Sequence, residues 1–138
     1  MYLPNFIVRS RTVGEKKTMR VGSYKIPYNQ EYADLSITYF KGDGGGLVPN
    51  INRWRGQLNL DLLSLEEVSD MAMYGNSPIG SYAMFKIINN FNLNKAFLSF
   101  IISMEESTVF LKLDCTVECL NLLEKDIKSF INTFQYNN

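Results

Sequence analysis

The chain has 138 residues, 46% of them hydrophobic and 13% aromatic, which is enough to bury one core and too few for two. Its 14 Lys and Arg balance 14 Asp and Glu, so there is no basic field to draw nucleic acid or an anionic membrane. With no His and only two Cys, it lacks Ser-His and Cys-His nucleophile pairs, and a zinc site of the usual N/S type is not expected.

No stretch approaches the roughly 18 uninterrupted apolar residues of a membrane helix, and Met1 to Ser10 lacks the basic start and apolar run of a signal peptide. The first expected elements are short strands at Asn5 to Arg9 and Met19 to Ile26, separated by the polar run Thr12 to Thr18 and closed by Pro27. Ala33 to Phe40 follows, with Leu35, Ile37 and Tyr39 alternating against Asp34, Ser36 and Thr38. That is the period of a strand with one buried face.

Gly42-Asp43-Gly44-Gly45-Gly46 comes next, a loop free to adopt positive φ, and Pro49 then suits the first turn of a helix. In that helix, Pro49 to Leu58, the residues Ile51, Trp54 and Leu58 form an apolar stripe. Ser64 and Glu67 have the spacing of a capping box and predict a second short helix. Tyr74 to Gly80, rich in Gly, Asn, Ser and Pro, reads as loop.

Strands are predicted at Tyr82 to Ile88, Ala96 to Met104 and Thr108 to Asp114, the last two joined as a hairpin across Glu105-Glu106-Ser107. Ala96 to Met104 is apolar on both faces, so it should be a central strand with helices covering each side of the sheet. The final helix carries Leu120, Leu123, Ile127, Phe130, Ile131 and Phe134 on one stripe, with Thr116 to cap it and Glu124 and Lys128 as an exposed pair. No repeat or linker is present, so residues 1–138 read as a single domain with residues 1–18 as an N-terminal extension.

The segment Ala33 to Leu58, ADLSITYFKGDGGGLVPNINRWRGQL, resembles a family of small bacterial proteins assigned to the PsbP-like fold. The shared shape is a strand, a Gly-rich loop and a helix start bearing Asn50, Arg53, Trp54, Gly56 and Gln57. Met19-Arg20 also looks like that family, and Thr108 to Cys119, TVFLKLDCTVEC, is similar to its closing strand with a Lys, running through a turn into the last helix. Cys115 departs from the family's usual Gly at that turn. The resemblance runs from about Met19 to the C-terminus; its central motif is specific and the rest generic.

What the resemblance implies is an α/β (α+β) fold, an antiparallel sheet flanked by helices on both faces. Its fold relatives act by docking, among them a lumenal subunit of photosystem II and a Ran-binding nuclear factor. It also implies export or lipid anchoring, with a leader absent from this chain; a cytoplasmic place is the alternative. The function expected on this basis is that of a non-catalytic accessory or docking protein with a protein partner, without cofactor or nucleic acid, and meeting a membrane only through an anchor.

Candidate binding residues are Gly44, Gly45, Gly46, Asn50, Arg53, Trp54 and Gln57. The alternative function is a small-ligand or anion-binding module at the Gly42 to Gly46 loop, since a glycine loop at a helix start can present N–H groups to an anion with Arg53 or Arg55 as counter-charge, although no nucleotide-binding signature follows and a tight turn also explains the loop. Asn50, Arg53 and Gln57 share one helix edge, where they could form a recognition surface or tie the helix to carbonyls of the loop or sheet. Cys119 would sit in the first turn of the last helix, where the dipole favours thiolate, although a free Cys is more often a small buried apolar residue. Tyr24, Tyr28, Tyr32 and Tyr39 cluster at the first hairpin and could pack there or contact a partner. An enzyme using Asp43 or Glu66 with a Tyr is the least supported reading.

Overall fold

A strand apolar at consecutive positions can bury both sets of side chains only if both faces of its sheet are covered. Ala96–Ser103 meets that condition in the computed structural model, which describes residues 18–135. In chain order the elements are β1 (Thr18–Tyr28), β2 (Glu31–Lys41), α1 (Leu47–Gln57), α2 (Leu65–Met71), β3 (Met73–Ser77), β4 (Gly80–Ile88), β5 (Ala96–Ser103), β6 (Ser107–Cys115) and α3 (Val117–Ile131). The strands form one antiparallel sheet in the order β1-β2-β6-β5-β4-β3, so β6 is inserted between β2 and β5. The fold is α+β, with helices on both faces of the sheet as expected.

Alternation along the strands sends Leu35, Ile37, Leu98, Phe100, Ile102, Leu111 and Leu113 to one face, where α3 covers them with Leu120, Leu123, Ile127, Phe130 and Ile131. The expected cap is present: the Cys119 N–H donates to the Thr116 hydroxyl at 3.1 Å. Phe134 is buried in the same cluster, although it lies beyond the helix end at Ile131. Glu124 accepts from Lys128 at 2.8 Å, and it also pairs with Lys86 of β4 at 2.7 Å. The pair read as an exposed helical one thus also ties α3 to the sheet.

The opposite face is covered more narrowly. Ile51 and Trp54 of α1, Leu58 at its C-terminal cap and Val68 of α2 pack on Ala83, Phe85, Ile87, Phe97, Ile101 and Phe110, all of which belong to β4, β5 and β6. The capping box of α2 forms as its spacing predicts, with Ser64 N–H to Glu67 carboxylate at 3.0 Å and Glu67 N–H to Ser64 hydroxyl at 3.2 Å. No helix of the described residues is long and apolar enough to cross a membrane.

Two sequence readings are corrected. The segment read as a loop from Tyr74 is in part an edge strand, because Met73–Ser77 pairs with β4 over five positions and the Tyr82 ring covers the site a Gly75 side chain would take. The strand expected to stop before Pro27 runs on to Tyr28, with Pro27 paired to Tyr32. An edge strand tolerates proline because its outward side needs no N–H. The strand expected at Asn5 to Arg9 lies outside the described residues.

Candidate functional site

The glycine loop is shaped by its own backbone. Gly42, Gly44, Gly45 and Gly46 all have φ between 67° and 95°, a region costly for any residue with a Cβ. Three of its N–H groups already have acceptors in the protein: Gly42 donates to the Glu106 carbonyl at 2.9 Å, Gly45 to the Asp43 carboxylate at 3.0 Å and Gly46 to the Asp43 carbonyl at 3.3 Å. The Thr108 hydroxyl donates to the Gly42 carbonyl at 2.7 Å, fixing the loop to β6. An incoming anion would have to displace these acceptors and face the Asp43 carboxylate.

Asn50 is 2% exposed and its Nδ2 donates to the carbonyls of Gly44 at 2.9 Å and Gly46 at 2.6 Å. It is therefore a tie between helix and loop, the structural role its position allowed. Arg55, one of the two proposed counter-charges, turns away and donates from Nε to the Asp61 carbonyl at 2.7 Å.

Arg53, Trp54 and Gln57 come together elsewhere, on the flank of α1 that faces β2. The buried residues beneath α1 and α2 belong to β4, β5 and β6, with Phe40 of β2 packed at their margin, so most of the same face of β1 and β2 is left open, with polar residues along its floor. Strand pairing places Ser23 beside Ser36, Lys25 beside Asp34, Asp34 beside Asp114 and Ser36 beside Lys112. Two adjoining depressions share Ser36 and Lys112 and form one trough. The larger, of about 370 Å³, includes Lys25, Asp34 and Asp114. The smaller, of about 200 Å³, is walled by Arg53, Trp54, Gln57 and Phe110.

Lys112 links the floor to the helix wall. Its Nζ donates to Gln57 Oε1 at 2.6 Å, and it lies 4.1 Å from the Phe97 ring centroid and 5.8 Å from that of Trp54. The Arg53 guanidinium lies 5.8 Å from the Trp54 centroid. Trp54 is 3% exposed, so its indole is a buried support on which two cations rest. Gln57 anchors Lys112, and Arg53 makes no ion pair or hydrogen bond to the described residues. Of the seven candidates, the structure gathers Arg53, Trp54 and Gln57 at the trough and places Gly44, Gly45, Gly46 and Asn50 in the loop's internal bonding.

Lys112, Ser36, Thr38, Asp34 and Asp114 were not singled out from sequence as site residues. The signal was available in part, because Phe110, Lys112 and Asp114 alternate with the inward Val109, Leu111 and Leu113. Burial raises the Asp114 carboxyl above its ordinary 3.8, reinforced by the Asp34 charge and opposed by Lys112 and Lys95. A carboxyl raised on folding lends stability below its unfolded value and loses it as pH rises through the folded one. We expect Asp114→Asn to be more stable than the parent at neutral pH, by under about 1 kcal/mol because the group is half in water. That gain should close as pH falls toward 3.8, which melting curves across pH would show. A gain independent of pH would refute this account.

The cysteines are placed otherwise than a reactive thiol needs. Cys119 is 1% exposed, and burial raises its thiol although the Cys115 contact and the Thr116 cap act in the other direction. Burial likewise pushes the Cys115 thiol well up. Among the hairpin tyrosines, Tyr24, Tyr28 and Tyr39 pack against the α3-side core, whereas Tyr32 is 64% exposed with Lys25 5.9 Å from its ring centroid. Among the described residues no group of three His, Cys, Asp or Glu is arranged to hold a metal ion.

No family model matches the chain, and no curated protein matches it. Among solved structures it is similar to PA94, a protein of unknown function from Pseudomonas aeruginosa, with a TM-score of 0.49 and 12% identity. The match covers 91% of this chain and 88% of that one. A likeness at this level transfers no function.

Proposed function

We propose that this is a non-catalytic docking protein whose contact face is the trough between α1 and the β1–β2 side of the sheet. The observation that carries the reading is the half-covered face: three strands lie under helices, and beside them a floor of Ser, Thr, Asp and Lys is left open along β2. A polar, open surface of this kind suits contact with another macromolecule better than enclosure of a small substrate, for which ligand pockets are deeper and more apolar. The resemblance of the Ala33 to Leu58 segment to PsbP-like proteins, whose fold relatives dock, points the same way.

Arg53 is the residue to test, because it is exposed on the trough wall and among the described residues is held only by its contact with the Trp54 ring. Arg53→Ala should leave stability within about 1 kcal/mol of the parent, the size of an exposed cation–π contact. The tagged chain should retain a stoichiometric partner from the soluble or membrane fraction of its native cell, and the folded Arg53→Ala variant should lose it. A partner retained equally by both, or none retained from either fraction, would refute docking through this face.

A further inference from the structure

We infer that a separate hollow, at the N-terminal end of α1, is a shallow binding site for one sugar ring. It shares no lining residue with the trough, so the inference stands apart from the docking reading.

Strand register builds the site from two adjacent rows of side chains on the α1 face of the sheet. Pairing sets Ser81 beside Ser103 and Ser103 beside Thr108, a row of hydroxyls across β4, β5 and β6. The next row on the same face is Tyr74, Ala83 and Ile101. Both rows line a hollow of about 310 Å³, closed at one end by Asp43 and Leu47. Ala83 and Ile101 are buried and give it an apolar floor, whereas Tyr74 is 71% exposed and gives it an aromatic wall.

The charges at the closed end disfavour a charged ligand of either sign. An anion would meet the Asp43 carboxylate, and no Lys or Arg lines the hollow to answer it. A cation would meet the positive end of α1, whose first-turn N–H groups lack intrahelical acceptors and have no side-chain cap. A neutral ligand with both donors and acceptors suits both neighbours.

Hydrogen-bonding capacity narrows the choice. The Thr108 hydroxyl gives its proton to the Gly42 carbonyl at 2.7 Å, so toward the hollow it can only accept. The Asp43 carboxylate also only accepts, and its Oδ1 already receives the Gly45 N–H. The ligand must therefore donate at this end, as O–H groups do and carbonyl or phosphoryl oxygens do not. Ser81 and Ser103 can donate or accept farther along the row. The apolar floor and the Tyr74 ring require in addition that one face of the ligand be apolar, since C–H groups pack against the negative face of an aromatic ring. A sugar ring combines a C–H face with a rim of hydroxyls. The volume lies at the roughly 300 Å³ where small-molecule pockets begin, which suits one ring. A free monosaccharide and the end of a glycan chain present the same chemistry here.

The test is a titration of the isotope-labelled full chain, followed by its amide resonances, with the methyl α- and β-glycosides of glucose, galactose, mannose and N-acetylglucosamine. Cyclohexanol, cytosine, benzylamine and inorganic phosphate are the controls for a ring without a hydroxyl rim, a flat base, a cation and an anion. At least one glycoside at millimolar concentration should shift Tyr74, Ser81, Ser103 and Thr108 and leave Ser36 and Gln57 of the trough in place. Each control should bind at least about tenfold more weakly. Tyr74→Ala and Asp43→Asn should each weaken the glycoside by about tenfold or more in variants whose spectra show an unchanged fold. Asparagine keeps an oxygen for the Gly45 N–H, and Tyr74→Phe, which keeps the ring, should retain most of the binding. No shift at these residues from any glycoside, a control that binds as tightly as the best glycoside, or parental affinity in folded Tyr74→Ala or Asp43→Asn would each overturn the assignment. Tighter binding of a tetrasaccharide ending in the preferred sugar would identify a glycan as the source, and equal affinity would identify the free monosaccharide.

Discussion

Trp54→Ala should lower the stability of the protein by about 3–5 kcal/mol, the cost of deleting a large aromatic side chain from a packed interior. The indole is 3% exposed, stands edge-on to Phe110 at 5.6 Å between centroids, and belongs to the cluster that seals α1 onto β4, β5 and β6. Its removal also takes the aromatic support from Arg53 and Lys112. Chemical denaturation would measure the loss, and Trp54→Phe should recover more than half of it because the ring contact with Phe110 survives in part. A Trp54→Ala variant within about 1 kcal/mol of the parent would mean that the helix is not held by this residue. It follows that lost binding in Trp54→Ala is no evidence of recognition until the variant is shown to be folded.

Asn50→Ala should cost about 2–3 kcal/mol, because it leaves the Gly44 and Gly46 carbonyls without the donors that now satisfy them inside the helix–loop junction. Asn50→Asp is the sharper variant. It keeps the shape and size of the side chain, yet replaces two donors with a carboxylate facing two carbonyl oxygens, so it should be at least as damaging as Ala. Denaturation would give the magnitudes, and faster amide exchange at Gly42, Gly45 and Gly46 would localise the loosening. Stability retained in Asn50→Asp would show that fit, rather than hydrogen bonding, is what the position requires.

Much of the sheet was legible because the relevant signals are local. The alternation in Ala33 to Phe40, the uninterrupted apolar run of Ala96 to Met104 and the stripe from Leu120 to Ile131 each state their own period, and all three elements are present. Ser64 with Glu67 and the Thr116 cap also declare themselves within a few residues. Met73–Ser77 does not, since Gly75, Asn76 and Ser77 have poor strand propensity and are held extended by pairing with β4. The hidden part of the site is hidden for a related reason. Lys112 meets Ser36 only because β6 enters the sheet beside β2, and no local pattern records a pairing between residues so far apart. Arg53 and Gln57 could be placed on one helix edge from their spacing, whereas the sheet residue opposite them could not be named.

The position of β6 has a consequence for how the chain is made. β1 and β2 can pair as soon as they emerge from synthesis, and β3, β4 and β5 can follow as a second unit, but the strand that joins the two groups is the last of the six in sequence. Until it arrives, β2 and β5 each present an open edge, and β5 carries Phe97, Leu98, Phe100, Ile101 and Ile102 along it. A nascent or prematurely terminated chain is then a template for pairing with its own kind, and folding must wait for a contact of long sequence separation. Fragments ending before Ser107 should accumulate as aggregates, while the full-length chain closes both edges with a single strand.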